Sequence, residues 1–306
     1  MKYRRFITYA WLVVIYTVGV ILWGAVVRAT GSGAGCGRHW PACNGEIIHR
    51  PESVATMIEL SHRLTSSLTG FLIIILLVWA FRVFPKASLV RRSAILSFVF
   101  VVVEGAFGAL LVLAELVEDN ASVWRAVAVG LHLINTLILL YWLTLVAWSA
   151  YDPTRRFNTP QKHSRLLWGA MIALCVVSSA GAITALGDTL FPVESLAQGI
   201  AADFDPTQSF LVQLRIWHPA LAVLASGYLM WMASRIQNET LSPFGERLIT
   251  GVYGAITIQL LVGVLNIFLL APVWMQVIHL LLADSLWIIV ILLAFEVRSG
   301  HAYSIK

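Results

Sequence analysis

Charged side chains are scarce in this sequence. Asp, Glu, Lys and Arg make up 12% of its 306 residues, while 59% are hydrophobic. A soluble globular domain is about 25% charged, so this deficit, with a mean hydropathy of +0.81, excludes a soluble enzyme or binding module. Cysteine is scarcer still. Of three cysteines, two lie in the stretch Gly31-Ser-Gly-Ala-Gly-Cys36-Gly-Arg-His-Trp-Pro41-Ala-Cys43. No Cys-x-x-Cys-His occurs, which excludes the usual covalent attachment of a haem. No polar stretch is long enough for an extramembrane domain.

What is present is a series of apolar runs, each able to cross a hydrocarbon core of roughly 30 Å as a helix. They fall at approximately 6–28, 57–81, 93–115, 124–149, 165–186, 211–234, 248–270 and 273–297. The sequence therefore predicts an all-α membrane protein of eight transmembrane helices. The first run exceeds a cleaved signal peptide in apolar length and is kept as a span. The net charge of +5 does not indicate nucleic acid, because the basic residues sit in short connections. Lys2, Arg4 and Arg5 precede the first span. Arg82, Lys86, Arg91 and Arg92 follow the second; Arg155, Arg156, Lys162 and Arg165 follow the fourth; Arg235 and Arg247 follow the sixth; and Arg298 and Lys306 end the chain. Glu118, Asp119, Asp188, Glu194, Asp203 and Asp205 occupy the opposite side. The positive-inside rule then puts both termini in the cytoplasm.

The chain also repeats itself. Glu104-Gly-Ala-Phe-Gly-Ala-Leu110 aligns with Gln259-Leu-Leu-Val-Gly-Val-Leu265, Gly24-Ala25 with Gly181-Ala182, His62 with His218, and His132 with His279. Each half holds four spans, so the copies run in the same direction, related by an axis along the membrane normal. The expected units are residues 1–150 and 151–306, joined by the basic segment Tyr151–His163. Gly187–Phe210 reads as a surface lid of the second unit.

Four of the eight histidines lie inside spans, at about the same depth in the outer half of the bilayer. Ionisable residues at membrane depth are costly and mark sites. Two facing imidazoles from two helices hold a haem iron from both axial positions. Zinc would normally want further Cys, Asp or Glu ligands, and none is obvious beside His218 and His279. His39, His49, His163 and His301 have no repeat mates and stay unassigned.

The halves differ around their histidines. Glu59-Leu-Ser-His62-Arg63 stands where the second half has Arg215-Ile-Trp-His218-Pro219. Glu59 shares a helical face with His62 and can reach the edge of a macrocycle held there. Arg215 suits a haem propionate. One half thus does chemistry while the other holds a cofactor. Pro219 is expected to kink its helix, and Glu104 to be protonated or hydrogen-bonded, in a structural polar role shared with Gln259. Asp284 and Cys175 read as packed side chains.

The first loop together with Glu59-x-x-His62-Arg63 resembles the haem A synthases, and the likeness extends over all eight spans and four histidines. The resemblance implies oxidation of a ring methyl of haem O, through hydroxylated intermediates, to the formyl group of haem A for terminal oxidases. It implies that His62 and His132 frame the catalytic site that takes haem O, with Glu59 assisting catalytically and Arg63 binding the substrate. His218 and His279 would hold haem b, with Arg215 on its propionates. The implied partners are a haem O synthase that hands over substrate and a membrane electron acceptor such as quinone, with homo-oligomerisation left open. The implied location is the cell membrane, with the haem sites toward the extracytoplasmic side. Some members carry a second cysteine pair after the fifth span; Gly187–Phe210 has none. For Cys36 and Cys43, an oxidising outer compartment favours a disulfide, structural or redox-active, and zinc bound with His39 is the alternative. A di-haem cytochrome relaying electrons and a non-catalytic haem carrier are the competing functions.

Overall fold

The computed structural model describes residues 3–46, 50–154, 163–238 and 241–299. Lys2, His49, Arg155, Arg156, Lys162, His301 and Lys306 lie outside the described residues. Eight helices are long and apolar enough to cross a membrane. They are α1 (Arg4–Ala29), α2 (Val54–Val83), α3 (Leu89–Leu113), α4 (Val123–Ser149), α5 (Ser164–Leu190), the span Phe210–Gln237, α9 (Pro243–Phe268) and α10 (Val273–Ser299). A short helix, α6 (Leu196–Asp203), lies in the loop after α5. Among the described residues β-structure is limited to one isolated bridge, Cys43 with Glu46.

The sixth span is composite, made of α7 (Phe210–Gln213), a 3-10 turn (Leu214–Ile216) and α8 (Trp217–Gln237). The expected kink at Pro219 takes this form. Proline lacks the N–H that would bond to the carbonyl of Arg215, and the tightened turn falls on Arg215 and its neighbours. His218 is thereby placed in the first turn of α8.

Repeated sequence makes repeated local structure. Ser53 and Ser209 stand at equivalent positions, as do Ser88 and Ser242, and each hydroxyl caps a helix by accepting a backbone N–H. At the other ends, α3 and α9 both close with a left-handed residue, Glu115 and Leu270. In each case the next residue bonds back to the last turn, Leu116 N to Leu111 O and Ala271 N to Asn266 O, both at 2.8 Å.

The helices pack through small residues, as expected where lipid removes the hydrophobic drive between them. Ala10, Ala80, Ala94, Ser93, Ser97, Ala147, Ala170 and Ala233 are all buried. One core joins α1, α2, α3 and α4 around Phe6, Ile73, Leu76 and Leu143. The other joins α4 to α5, α8, α9 and α10 around Leu140, Met232, Ile256 and Val290. Contacts between the first and last four spans run through α1 and α4 against α5 and α10. Ile15, Phe71, Ile172, Leu224 and Leu261 are exposed on the outer faces, where lipid would cover them.

Candidate functional site

The structure seats three of the four histidines on glycines of a neighbouring helix. A Cβ on Gly24 would lie 3.0 Å from the His62 ring, one on Gly181 2.8 Å from His218, and one on Gly263 3.1 Å from His279. A Cβ at these positions would press on the imidazole, most severely at Gly181, so the glycines of the repeated Gly-Ala pairs of α1 and α5 act as ring seats. The fourth ring, His132, has Phe107 beside it, with centroids 5.9 Å apart.

In the second half the rings of His218 and His279 face each other across 6.2 Å between centroids, at 89°. Metal–imidazole bonds of about 2 Å on each side bring two ring centres to roughly this separation. His218 Nδ1 donates to Val177 O at 3.1 Å, so its lone pair resides on Nε2. In the first half His62 and His132 are close enough for a charge on either to act on the other. The Nδ1 atoms of His62, His132 and His279 are buried without a protein partner. The spacing of His218 and His279 on their glycine seats fits a planar group bound through two axial ligands.

The residue facing each paired histidine differs in charge. Glu104 Oε1 lies 3.6 Å from His132 Nδ1. Its equivalent, Gln259, places Nε2 3.3 Å from His279 Nε2. Glu104 accepts hydrogen bonds from Asn135 Nδ2 and Thr136 Oγ1, each at 2.5 Å, whereas the matching positions of α10 are Leu282 and Ala283. Glu104 is therefore hydrogen-bonded as expected, but its place beside His132 was not read from the sequence. The repeat alignment held the signal, since Glu104 and Gln259 each precede a paired histidine at matching positions.

Glu59 is 4% exposed, and its carboxylate is engaged by protein. Cys36 N donates to Oε2 at 2.7 Å, and Arg63 Nε and Nη2 donate to Oε1 at 3.1 and 2.5 Å. Arg63 Nη1 donates to the carbonyls of His39 and Ala42 at 2.6 and 2.7 Å. Both side chains thus tie the first loop to α2. Cys36 and Cys43 are joined as a disulfide, which overturns the zinc alternative with His39, because both thiolates are consumed by the bond. Among the described residues no group of three or more His, Cys, Asp or Glu is arranged to hold a metal ion.

Arg215 ties the second loop in the same way. Nε donates to Asp203 at 2.9 Å, and Nη1 to Asp188 at 3.3 Å and to Phe191 O at 3.4 Å. Nη2 is buried without a protein partner. This ion-pair cluster does what a second disulfide would do. Further along the loop Asp205 accepts the Thr207 hydroxyl and N–H, which hold its carboxyl below the ordinary range. Cys175 is free and half-buried. Asp284 is 1% exposed, with Oδ2 unpartnered.

Eight apolar helices, four of them carrying a histidine within the span, define a multi-pass membrane protein. The model of the COX15-CtaA family, described as cytochrome oxidase assembly protein, matches residues 7–291. The chain is 31% identical over 297 residues to proteins named heme A synthase from Bacillus mycoides and Bacillus cereus, covering 93% of this chain and 91% of each relative. It is 44% identical over 297 residues to a Thermus thermophilus protein named protoheme IX farnesyltransferase, covering 95% of this chain and 48% of that relative. The chain thus spans about half the length of the Thermus relative. It belongs to the haem A synthase family of cytochrome oxidase assembly proteins.

Proposed function

We propose that this protein is a haem A synthase, a membrane-bound oxidoreductase that converts a ring methyl of haem O to the formyl group of haem A through hydroxylated intermediates. The observation that carries the reading is that equivalent histidine pairs have inequivalent surroundings. His62 and His132 are accompanied by two carboxylates, Glu59 and Glu104, and His218 and His279 by Arg215 and Gln259. A pure electron relay has no use for that difference. Residues 1–150 hold the substrate haem O between His62 and His132, and residues 151–306 hold haem b between His218 and His279. Haem b supplies one-electron transfer when bound.

The roles of the chain's own residues follow from their contacts. His218 Nδ1 is held by Val177 O, which keeps the ring oriented. Arg215 Nη2, the unpartnered donor, serves a propionate of haem b. Glu104, fixed by Asn135 and Thr136, holds a carboxylate 3.6 Å from His132 Nδ1. Glu59 closes the stapled loop at the mouth of the first pocket. Its carboxylate, one turn from His62, would handle the proton at the first site. Arg63 serves the substrate through the same loop.

The protein sits in the cell membrane with both termini cytoplasmic and the haem pockets on the extracytoplasmic side, supported by the distribution of Lys and Arg. Haem O comes from a haem O synthase. The reading is supported by the Thermus relative, about twice as long and named for farnesyl transfer to protoheme IX. A membrane quinone takes the electrons. The complete engagement of Glu59 within the protein favours a second reading, a di-haem cytochrome that leaves haem unaltered. Expressing the chain in cells that make haem O but no haem A separates the two. Haem A or hydroxylated haem O in the extract supports the enzyme, and unmodified haem O overturns it.

A further inference from the structure

Arg28, near the end of α1, is a cation of the first half bound by the second. Its Nη1 donates to Ala185 O at 2.6 Å and to Thr189 Oγ1 at 3.2 Å, and its Nη2 to Gln276 Oε1 at 2.9 Å. In the repeat, Gly24 corresponds to Gly181, so the mate of Arg28 is Ala185, the residue whose carbonyl it binds. A side chain that bonds to its own repeat mate lies where the two halves meet about their axis. No second arginine balances it, because the equivalent position carries only a methyl group.

The same site adjoins the seats of three histidines. Arg28 is four residues, one helical turn, from Gly24 beneath His62; Ala185 is one turn from Gly181 beneath His218; Gln276 is one turn before His279. Asp188 is close enough for its charge to act on Arg28, and it also pairs with Arg215, the clamp of the second loop. Arg125, at the start of α4, adds a further positive charge to the neighbourhood.

We propose that Arg28 is a positioning residue shared by the two haem sites. It holds α1 in register with α5 and α10, and its single fixed charge, in surroundings of low dielectric, makes electron arrival at either site more favourable. The inference rests on the haem assignment above.

The test is redox titration of purified protein, following the b-type absorbance, with melting temperature measured in parallel. Arg28→Gln keeps donors but removes the charge and is expected to shift the midpoint to a more negative potential. Arg28→Lys keeps the charge and is expected to stay near wild type. Gln276→Glu, which pairs a carboxylate with Arg28 while giving up the Nε2 bond to Ala271 O, is expected to shift the midpoint negatively as well. An unchanged midpoint in Arg28→Gln, or in Gln276→Glu should Arg28→Gln not fold, overturns the inference and leaves Arg28 a structural joint. Wild-type protein without any b-type absorbance overturns the haem assignment itself, and this inference with it.

Discussion

Glu59 and Arg215 occupy the same position of the repeated unit, three residues before His62 and His218, and each pins the loop preceding its own span. Glu59 does so as an acceptor from Cys36 N and Arg63, and Arg215 as a donor to Asp188 and Asp203. One structural task is thus performed by side chains of opposite charge, each compensated within its own clamp, Glu59 by Arg63 and Arg215 by Asp188 and Asp203. The equivalent histidines remain in both halves, while what stands beside them differs: Gly263 seats His279, whereas its mate Gly108 meets nothing within 4 Å.

Replacing Glu59 removes the acceptor that joins loop and helix. Glu59→Ala takes the acceptor from Cys36 N and from Nε and Nη2 of Arg63 in a buried setting, which costs about 1–3 kcal/mol for such groups. The variant is expected to melt lower, to retain the b-type spectrum of the second half, and to lose haem A formation. Haem A yield at the wild-type level removes Glu59 from the mechanism.

The histidine pairs separate by spectrum. His218→Ala is expected to abolish the stable b-type absorbance, while His62→Ala retains it and loses haem A formation. Survival of the b-type spectrum in His218→Ala would show that the pairing is wrong.

Ring seats predict size limits on particular glycines. Gly181→Val places a side chain where His218 lies 2.8 Å from even a Cβ, so haem bound per protein is expected to fall at least tenfold. Gly70→Ala, with nothing within 4 Å, is the matched control and should bind haem normally. Equal haem content in the two variants would refute the seat.

Arg215→Ala frees the second loop and leaves Asp188 and Asp203 facing each other. Discounted for partial exposure, the loss is about 1–3 kcal/mol, visible as a lower melting temperature and faster proteolysis between residues 191 and 209. Unaltered proteolysis would show that the loop is held by other contacts.

Much of the fold was legible because lipid imposes length and composition on a span. All eight runs became helices, starting a few residues earlier where serine caps begin the turn, as at Ser53 and Ser88, and ending two residues earlier at Leu113 and Phe268, where Glu115 and Leu270 turn left-handed. The repeat located all four histidines, since an equivalent position in two copies restricts what chance can produce. Side-chain partners were less legible. Glu59 and Arg63 share a helical face with His62, which suggested contact with a macrocycle, yet loop backbone within reach supplied Cys36 N and the carbonyls of His39 and Ala42. Arg28 carried no signal of its own, because its partners, Ala185, Thr189 and Gln276, are distant in sequence and become neighbours only when the halves pack.

The most direct measurement is mass identification of the haems extracted from the protein purified out of cells that make haem O. Two unlike sites, one of them catalytic, predict haem b together with hydroxylated haem O or haem A in the same preparation. Haem b alone, at either one or two per chain, would contradict them.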